Sequence, residues 1–229
     1  MVRIITDSAA DFEPAELEKL NIACTPLSVT LGDKSYRENI DLSKKEFYEL
    51  LASTGATPQT SQPSPDLLFD LFRDAKNAGD EAVFISISSA ISGTYQTARI
   101  TLEDVECDDC YVVDSLNATA GERVLVDYAV RLRDEGKSAK EIVAELEAVR
   151  DKVVLFACID TLEYLYRGGR ISQTVYKLGT MAQVKPIIRV SEEGTIEVPA
   201  KAMGMRKGMD QLCKRLEAQK PDANHKIYV

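Results

Sequence analysis

The chain has 229 residues, of which 45% are hydrophobic, and a formal net charge of −9 with a pI near 4.8. This size and hydrophobic content are enough to bury a sizeable core in one large domain or two interleaved small ones. The acidic average surface disfavours nucleic acid and anionic lipid headgroups as partners, because both carry negative charge. No apolar run approaches the ~20 residues of a membrane span, and the first residues lead straight into a strand-like run. We therefore expect a cytoplasmic protein.

The predicted strands alternate with amphipathic helices, an order typical of an α/β fold with a mainly parallel sheet flanked by helices. A hairpin excursion near residues 24–40 interrupts this alternation and could join a second lobe together with a hairpin near Gly194. The remaining predicted strands are, in chain order, Arg3–Thr6, Ala82–Ile87, Tyr111–Val113, Val153–Ala157, Val184–Val190 and Thr195–Pro199.

Several helices are predicted from their capping residues. Ser43 and Ser138 are each followed three residues later by a glutamate, which is the pattern of a capping box. Two further helices are predicted from Pro65 to Gly79 and from about Gly121 to Glu135, the latter ended by Gly136.

The cysteines are odd in number and scattered, which argues against a disulfide framework and predicts reduced thiols. Cys107 and Cys110 have the spacing of a redox pair or of half a zinc site, but the sequence has no second CxxC. The single histidine, His225, lies far along the chain. We therefore expect no metal and no cofactor.

A first candidate anion site lies where the strand ending near Ile87 leads into a helix. Free N–H groups at the helix start, with the hydroxyls of Ser92 and Thr94 beside Gly93, could hold a carboxylate or a phosphate at the carboxyl edge of the sheet. Plain capping of the helix by Ser92 or Ser89 is an equally good interpretation.

Two further segments could contribute to such a site. Residues 57–65 contain three prolines, which predicts a shaped loop that could present Thr60 and Ser61, or simply a rigid connection to the next helix. Arg167 and Arg170 bracket a glycine pair between two helices. Either arginine could reach an anion, although Arg167 could equally complement the helix C-terminus while the glycines end the helix.

The sequence carries no Walker loop, no GxSxG elbow and no HExxH motif, and it has no nucleophile–base pair with histidine except through His225. Asp7 could be a catalytic acid at a strand end, but we expect it to cap the following turn. These features favour binding over catalysis.

Five motifs together resemble the DegV family in order and spacing, over nearly the whole chain. They are Ile5–Ser8, Thr60–Pro63, Ser88–Tyr95, Leu165–Ser172 and Val184–Ile187. The resemblance implies a two-lobed α/β protein with a long-chain fatty acid buried between the lobes. It also implies a role similar to the fatty-acid-binding subunit of the bacterial fatty acid kinase, in which a partner kinase performs the catalysis.

The resemblance also implies roles for particular residues. Thr60 and Ser92 would hold the fatty-acid carboxylate, with the Gly93 backbone beside them and Arg170 in support. Family members continue beyond the last strand-like residues, Lys226–Val229, so the second lobe is expected to be truncated and His225 is not the family's site histidine. We accordingly expect an α/β lobe over residues 1–165 and a partial second lobe over residues 166–229.

Two other functions remain open. An enzyme acting on a small phosphorylated or nucleotide substrate could use the helix start at Ser92, Gly93 and Thr94 as its anion site. A regulatory or structural protein with an incidental lipid cavity would have the same fold without needing a kinase.

A basic segment near the end of the chain suggests a docking surface. Residues 201–216 carry a predicted apolar helical stripe of Met205, Met209, Leu212, Cys213 and Leu216. Its other faces are basic, through Lys201, Arg206, Lys207, Lys214 and Arg215. Charged residues opposite a core stripe can be a solvated face, but this reversal of the overall charge could also dock an acidic surface of the kinase.

Overall fold

The computed structural model describes residues 1–179, 183–222 and 228. Within these residues the strands are β1 (Val2–Asp7), β2 (Ile22–Thr25), β3 (Ser28–Leu31), β4 (Lys34–Arg37), β5 (Gln59–Ser61), β6 (Glu81–Ser86), β7 (Cys110–Asp114), β8 (Phe156–Cys158), β9 (Val184–Val190) and β10 (Ile196–Met203). The helices are α1 (Pro14–Leu20), α2 (Lys44–Thr54), α3 (Pro65–Ala78), α4 (Thr94–Val105), α5 (Ala120–Asp134), α6 (Ala139–Val149), α7 (Glu163–Arg167), α8 (Gln173–Gly179) and α9 (Met205–Ala218).

A parallel sheet in the order β2–β1–β6–β7 forms the centre of the fold, and it confirms the predicted α/β class. Helices cover both of its faces. Val83 and Ile85 pack in one cluster with residues of α5 and α6, whereas Ala82 and Phe84 pack in another with residues of α3 and α4. This alternation explains the continuous apolar run of β6, and the parallel pairing brings the carboxyl ends of β1, β6 and β7 to one edge.

Two antiparallel sheets accompany the parallel one. The excursion near residues 24–40 does contain a hairpin, in which Leu31 of β3 pairs with Lys34 of β4. Its sheet has the order β4–β3–β5, so its third strand comes from residues 59–61 rather than from the hairpin near Gly194. The latter hairpin pairs with β8 in a separate sheet, β10–β9–β8. The two hairpins therefore belong to different sheets, and their membership of one lobe stays a prediction.

Two predicted segments differ from those observed. Residues 57–65 are not wholly a loop, because Gln59–Ser61 lies between the prolines and forms an edge strand that the prolines flank without interrupting. The strand predicted over Val153–Ala157 begins later, at Phe156, because residues 150–152 form a 3-10 turn. The predicted boundary near residue 165 stays a prediction, although β8, before it, pairs with β9, after it.

Helix termini follow the sequence closely. The capping boxes at Ser43 and Ser138 are both present, with the serine hydroxyl accepting the N–H three residues later and the glutamate bonded back to the serine N–H. The helix beginning at Pro65 ends before a left-handed Gly79, and α5 ends two residues before the left-handed Gly136. Such caps form within one helical turn, so they need no tertiary information.

The predicted apolar stripe of α9 is wrong in its position. Leu212 is buried as expected, but Met205, Met209 and Cys213 are exposed. The buried face instead includes Gly208, because the missing side chain lets the helix approach β8 closely. A β-carbon at Gly208 would lie only 2.3 Å from Cys158 Sγ.

The expectation of five reduced cysteines is also wrong, since Cys107 and Cys110 form a disulfide between α4 and β7. Within the described residues no group of three or more metal-ligating side chains is found. None of the helices described is long and apolar enough to cross a membrane. His225 and most of the strand predicted over Lys226–Val229 lie outside the described residues.

Candidate functional site

The loop between β6 and α4 carries the first predicted site residues. Ser92 is half-buried and Gly93 is exposed, at the start of α4. Gly93 occupies the N-cap position, so the cap residue itself has no side chain to bond the helix. Ser92 Oγ lies 2.9 Å from Thr94 Oγ1 and accepts the Thr94 N–H at 3.3 Å. Ser92 thus contributes partly to the helix start, while Ser89 forms no cap.

The strand carrying Thr60 lies beside this loop. Thr60 is exposed on β5 and pairs with Val29 of β3. Two residues later, Gln62 Nε2 donates to Thr97 Oγ1 of α4 at 2.6 Å. The Gln62 side chain also lies directly against Gly93. The TSQP and SGT motifs therefore meet in space, which their separation along the chain did not guarantee.

Arg170 joins the same loop from the other direction. Its Nε donates to the Ile91 carbonyl at 3.0 Å and its Nη1 to the Gly168 carbonyl at 2.5 Å. Arg170 is half-buried, next to the residue that precedes Ser92. Both acceptors are neutral carbonyls, so these two bonds do not neutralise the positive charge of the guanidinium. The supporting role of Arg170 at an anion site stays a prediction.

Arg167 behaves differently from Arg170. It forms an ion pair with Glu163 one helical turn earlier and donates to Thr57 Oγ1. This arginine therefore links α7 to the segment leading into β5, and it is partnered by an acid. Gly169, with a φ of 76°, supplies the left-handed turn after α7.

Acidic side chains from the ends of β1 and β7 hold the loop from beneath. Asp7 Oδ2 accepts the Ile87 N–H at 2.9 Å, and Asp114 Oδ1 accepts the Ser89 N–H at 3.2 Å. Asp7 also accepts the Ala9 N–H, which confirms its predicted capping role. Burial raises the pKa of the Asp7 carboxyl to about 7, although these backbone donors lower it. Two fixed carboxyl groups thus position the backbone of the hydroxyl-rich loop.

Glu122 of α5 is a completely buried carboxyl below the same edge. Burial, with Asp7 nearby, raises its pKa well above the usual range. Thr6 Oγ1 lies 3.0 Å from the Ile85 carbonyl and 3.1 Å from Glu122 Oε1, and a hydroxyl has one proton for these two acceptors. A protonated Glu122 can donate to Thr6 while Thr6 donates to Ile85. The neutral acid satisfies both contacts.

Sequence reasoning missed the roles of Gln62, Asp114 and Glu122. It also missed Ser88, which is buried and donates to the Gly194 carbonyl at 2.9 Å, joining the loop to the β9–β10 turn. Asp7 and Asp114 end two strands of the parallel sheet, on either side of β6, and this could have indicated a shared edge. No local pattern marks Gln62 or Glu122, because their partners lie far away in the sequence.

Comparison with known proteins agrees with this architecture. A family model described as an uncharacterised protein of the DegV family matches residues 1–229. A DegV domain-containing protein of Caldanaerobacter subterraneus is 36% identical over 208 residues, which cover 91% of this chain and 74% of that protein.

Two solved structures are similar in fold. One is described as a stearic acid-binding protein from Eubacterium ventriosum, with 28% identity and a TM-score of 0.87 over 96% of this chain and 76% of that one. The other concerns fatty acid binding by a DegV family protein from Thermus thermophilus, with 32% identity and a TM-score of 0.85 over 95% of this chain and 77% of that one. The chain described here belongs to the DegV family.

Proposed function

We propose that this protein binds a long-chain fatty acid, holds its carboxylate near Thr60, Ser92 and Gly93 with Arg170 in support, and presents it to a partner kinase. The observation that carries the proposal is the meeting of three polar motifs around one loop. Gln62 brings the Thr60 segment against Gly93, and Arg170 bonds the Ile91 carbonyl. The fatty-acid-binding relatives support the choice of ligand.

The chemistry of this group suits one charge on a long apolar tail. Hydroxyl and backbone N–H donors can satisfy a carboxylate, and an arginine nearby favours its ionised form. Burial of each methylene contributes about 0.8 kcal/mol, so the tail supplies most of the affinity and the donors mainly fix the orientation of the carboxylate.

Extraction and mass spectrometry of the purified protein test the ligand. We expect a co-purified long-chain fatty acid. Ser92→Ala and Thr60→Ala should each weaken stearic acid binding by about 1–3 kcal/mol, because a buried charged acceptor loses one donor. Folded protein that neither contains nor binds a fatty acid would refute the proposal. A co-purified nucleotide or sugar phosphate would instead support the enzyme with an anion site at Ser92, Gly93 and Thr94.

The kinase contact is proposed on the basic surface around α9. Lys201 at the end of β10 and Arg206 and Lys207 on α9 are all exposed. Exposed Met203, Met205 and Met209 lie on the same two elements. A basic surface with apolar side chains suits an acidic protein partner, since charge speeds the encounter and apolar contacts stabilise the complex.

Charge reversal tests this surface. Arg206→Glu with Lys207→Glu should slow phosphorylation of the bound fatty acid by a fatty acid kinase at low salt, while stearic acid binding is unchanged. Lys45→Glu with Lys140→Glu is the matched control, since both lysines are exposed and the change in net charge is the same. Equal rates for the two double variants under limiting kinase would place docking elsewhere.

A further inference from the structure

The adjacent residues Asp7 and Ser8, at the end of β1, touch the loop that leads to Ser92 and the hairpin that pairs with the strand carrying Thr60. Asp7 accepts the Ile87 N–H at 2.9 Å. Ser8 Oγ accepts the Leu27 N–H at 2.9 Å and donates to Glu38 Oε2 at 2.7 Å. Both side chains are buried, so water does not readily replace these contacts.

The contact of Asp7 leads to Ser92 through one short loop. Ile87 is the first residue after β6, and the next residue, Ser88, accepts the Ser92 N–H at 3.1 Å. The position of the Ile87 amide therefore determines where this turn begins. A displaced Ile87 would move Ser92 with it.

The contacts of Ser8 lead to Thr60 through the excursion sheet. Leu27 immediately precedes β3, and Val29 of β3 lies opposite Thr60 of β5. The Glu38 N–H donates to the Leu27 carbonyl at 2.9 Å, so Ser8 holds both ends of the β3–β4 hairpin. A displaced Leu27 would shift the strand that aligns Thr60.

We propose that Asp7 and Ser8 are positioning residues that together fix the separation between Thr60 and Ser92. The inference rests on the proposed head-group site. Thr60 lies on a strand of the β4–β3–β5 sheet, whereas Ser92 lies in the loop that follows β6 of the parallel sheet. A bound carboxylate needs its donors placed within a fraction of an ångström. Asp7 and Ser8 are neighbours in the chain, and their side chains bond the loop after β6 and the β3–β4 hairpin. They therefore set the relative position of these two segments at the proposed carboxylate site.

Amide hydrogen exchange followed by NMR tests the positioning independently of the ligand. Ser8→Ala should speed exchange at Leu27 by about tenfold and leave Ile87 unchanged, and Asp7→Ala should do the reverse, because each variant removes the side-chain acceptor of a different amide. Ser53→Ala is the control, since that exposed hydroxyl bonds only the Leu50 carbonyl of its own helix.

Stearic acid binding in double variants tests the consequence for the site. Ser8→Ala should weaken binding about tenfold alone but add little to Thr60→Ala, whereas its effect should add fully to that of Ser92→Ala. Asp7→Ala should show the opposite pattern, with an effect that adds little to Ser92→Ala and fully to Thr60→Ala. If Asp7 and Ser8 only stabilised the fold, the loss of binding in each variant would add equally to the losses in Thr60→Ala and in Ser92→Ala.

Several outcomes would overturn the inference. Unchanged exchange at both amides would show that the two side chains position neither segment, and equal additivity with both partners would show only a general loss of stability. Unchanged binding in Thr60→Ala and Ser92→Ala alone would refute the head-group site, and the inference with it. The single variants and the exchange rates therefore distinguish the two failures.

Discussion

The side chain of Gln62 occupies the space that a β-carbon at Gly93 would need. Its Oε1 lies 2.1 Å from that position, and its Nε2 donates to Thr97 Oγ1 at 2.6 Å. Gly93 has a φ of −77°, which any residue can adopt, so close approach rather than backbone conformation requires glycine here. The contact connects two of the motifs that define the candidate site.

Gly93→Ala should therefore displace the Gln62 side chain and break its bond to Thr97. We expect a loss of about 0.5–1.5 kcal/mol in stearic acid binding or in the free energy of unfolding, the usual value of one hydrogen bond. Calorimetric titration and urea unfolding measure the two. Without the Gln62 side chain there is no clash, so Gly93→Ala should cost nothing further in a Gln62→Ala background. A further loss of binding or of stability in the double variant would contradict the steric explanation.

Stability should depend on pH through Asp7. Burial raises its pKa from 3.8 to about 7, so the folded protein binds this proton more tightly than the unfolded chain. This contribution to stability is fully present below the unfolded pKa and is lost as the pH rises through about 7. The free energy of unfolding should thus fall between about pH 4 and about pH 7 and level off above that range. Asp7→Asn, which cannot titrate, should give a shallower dependence, and an unchanged slope would contradict the assignment.

The contact between α9 and β8 should not tolerate a larger residue at position 208. A β-carbon there would lie 2.3 Å from Cys158 Sγ but at least 3.7 Å from the other nearest atoms. Gly208→Ala should lower the free energy of unfolding by about 1–3 kcal/mol, the usual cost of overpacking. Adding Cys158→Ala removes the sulfur and should recover most of this loss in urea unfolding. Failure to recover would mean that a contact other than the one with Cys158 Sγ dominates, because alanine itself favours the helix over glycine.

Reduction of the Cys107–Cys110 disulfide should destabilise the protein modestly. The bond closes a loop of four residues, for which the chain-entropy relation gives about 2 kcal/mol. Urea unfolding with and without a dithiol reductant measures this difference, and Cys107→Ser with Cys110→Ser is the control that should not respond. Alkylation of both thiols in folded, unreduced protein would contradict the presence of the bond.

The sequence by itself determined the elements whose signals are local. The capping boxes at Ser43 and Ser138 and the glycine after α3 act within a turn, so the starts of α2 and α6 and the end of α3 were predicted nearly to the residue. The apolar run of β6 likewise identified a buried strand. Family motifs indicated which hydroxyls to consider, but each motif alone also fitted an ordinary cap or loop.

Only the tertiary structure decided which of these segments meet. Asp7 reaches Ile87 because β1 and β6 end at one edge of the parallel sheet. Gln62 reaches Gly93 and Thr97 although the strand before it, β5, belongs to a separate sheet. The buried face of α9 depended on Cys158, a partner outside the helix, so hydrophobic spacing within α9 gave the wrong stripe. Local patterns report contacts within a few residues, whereas these positions depend on packing against residues that lie far along the chain.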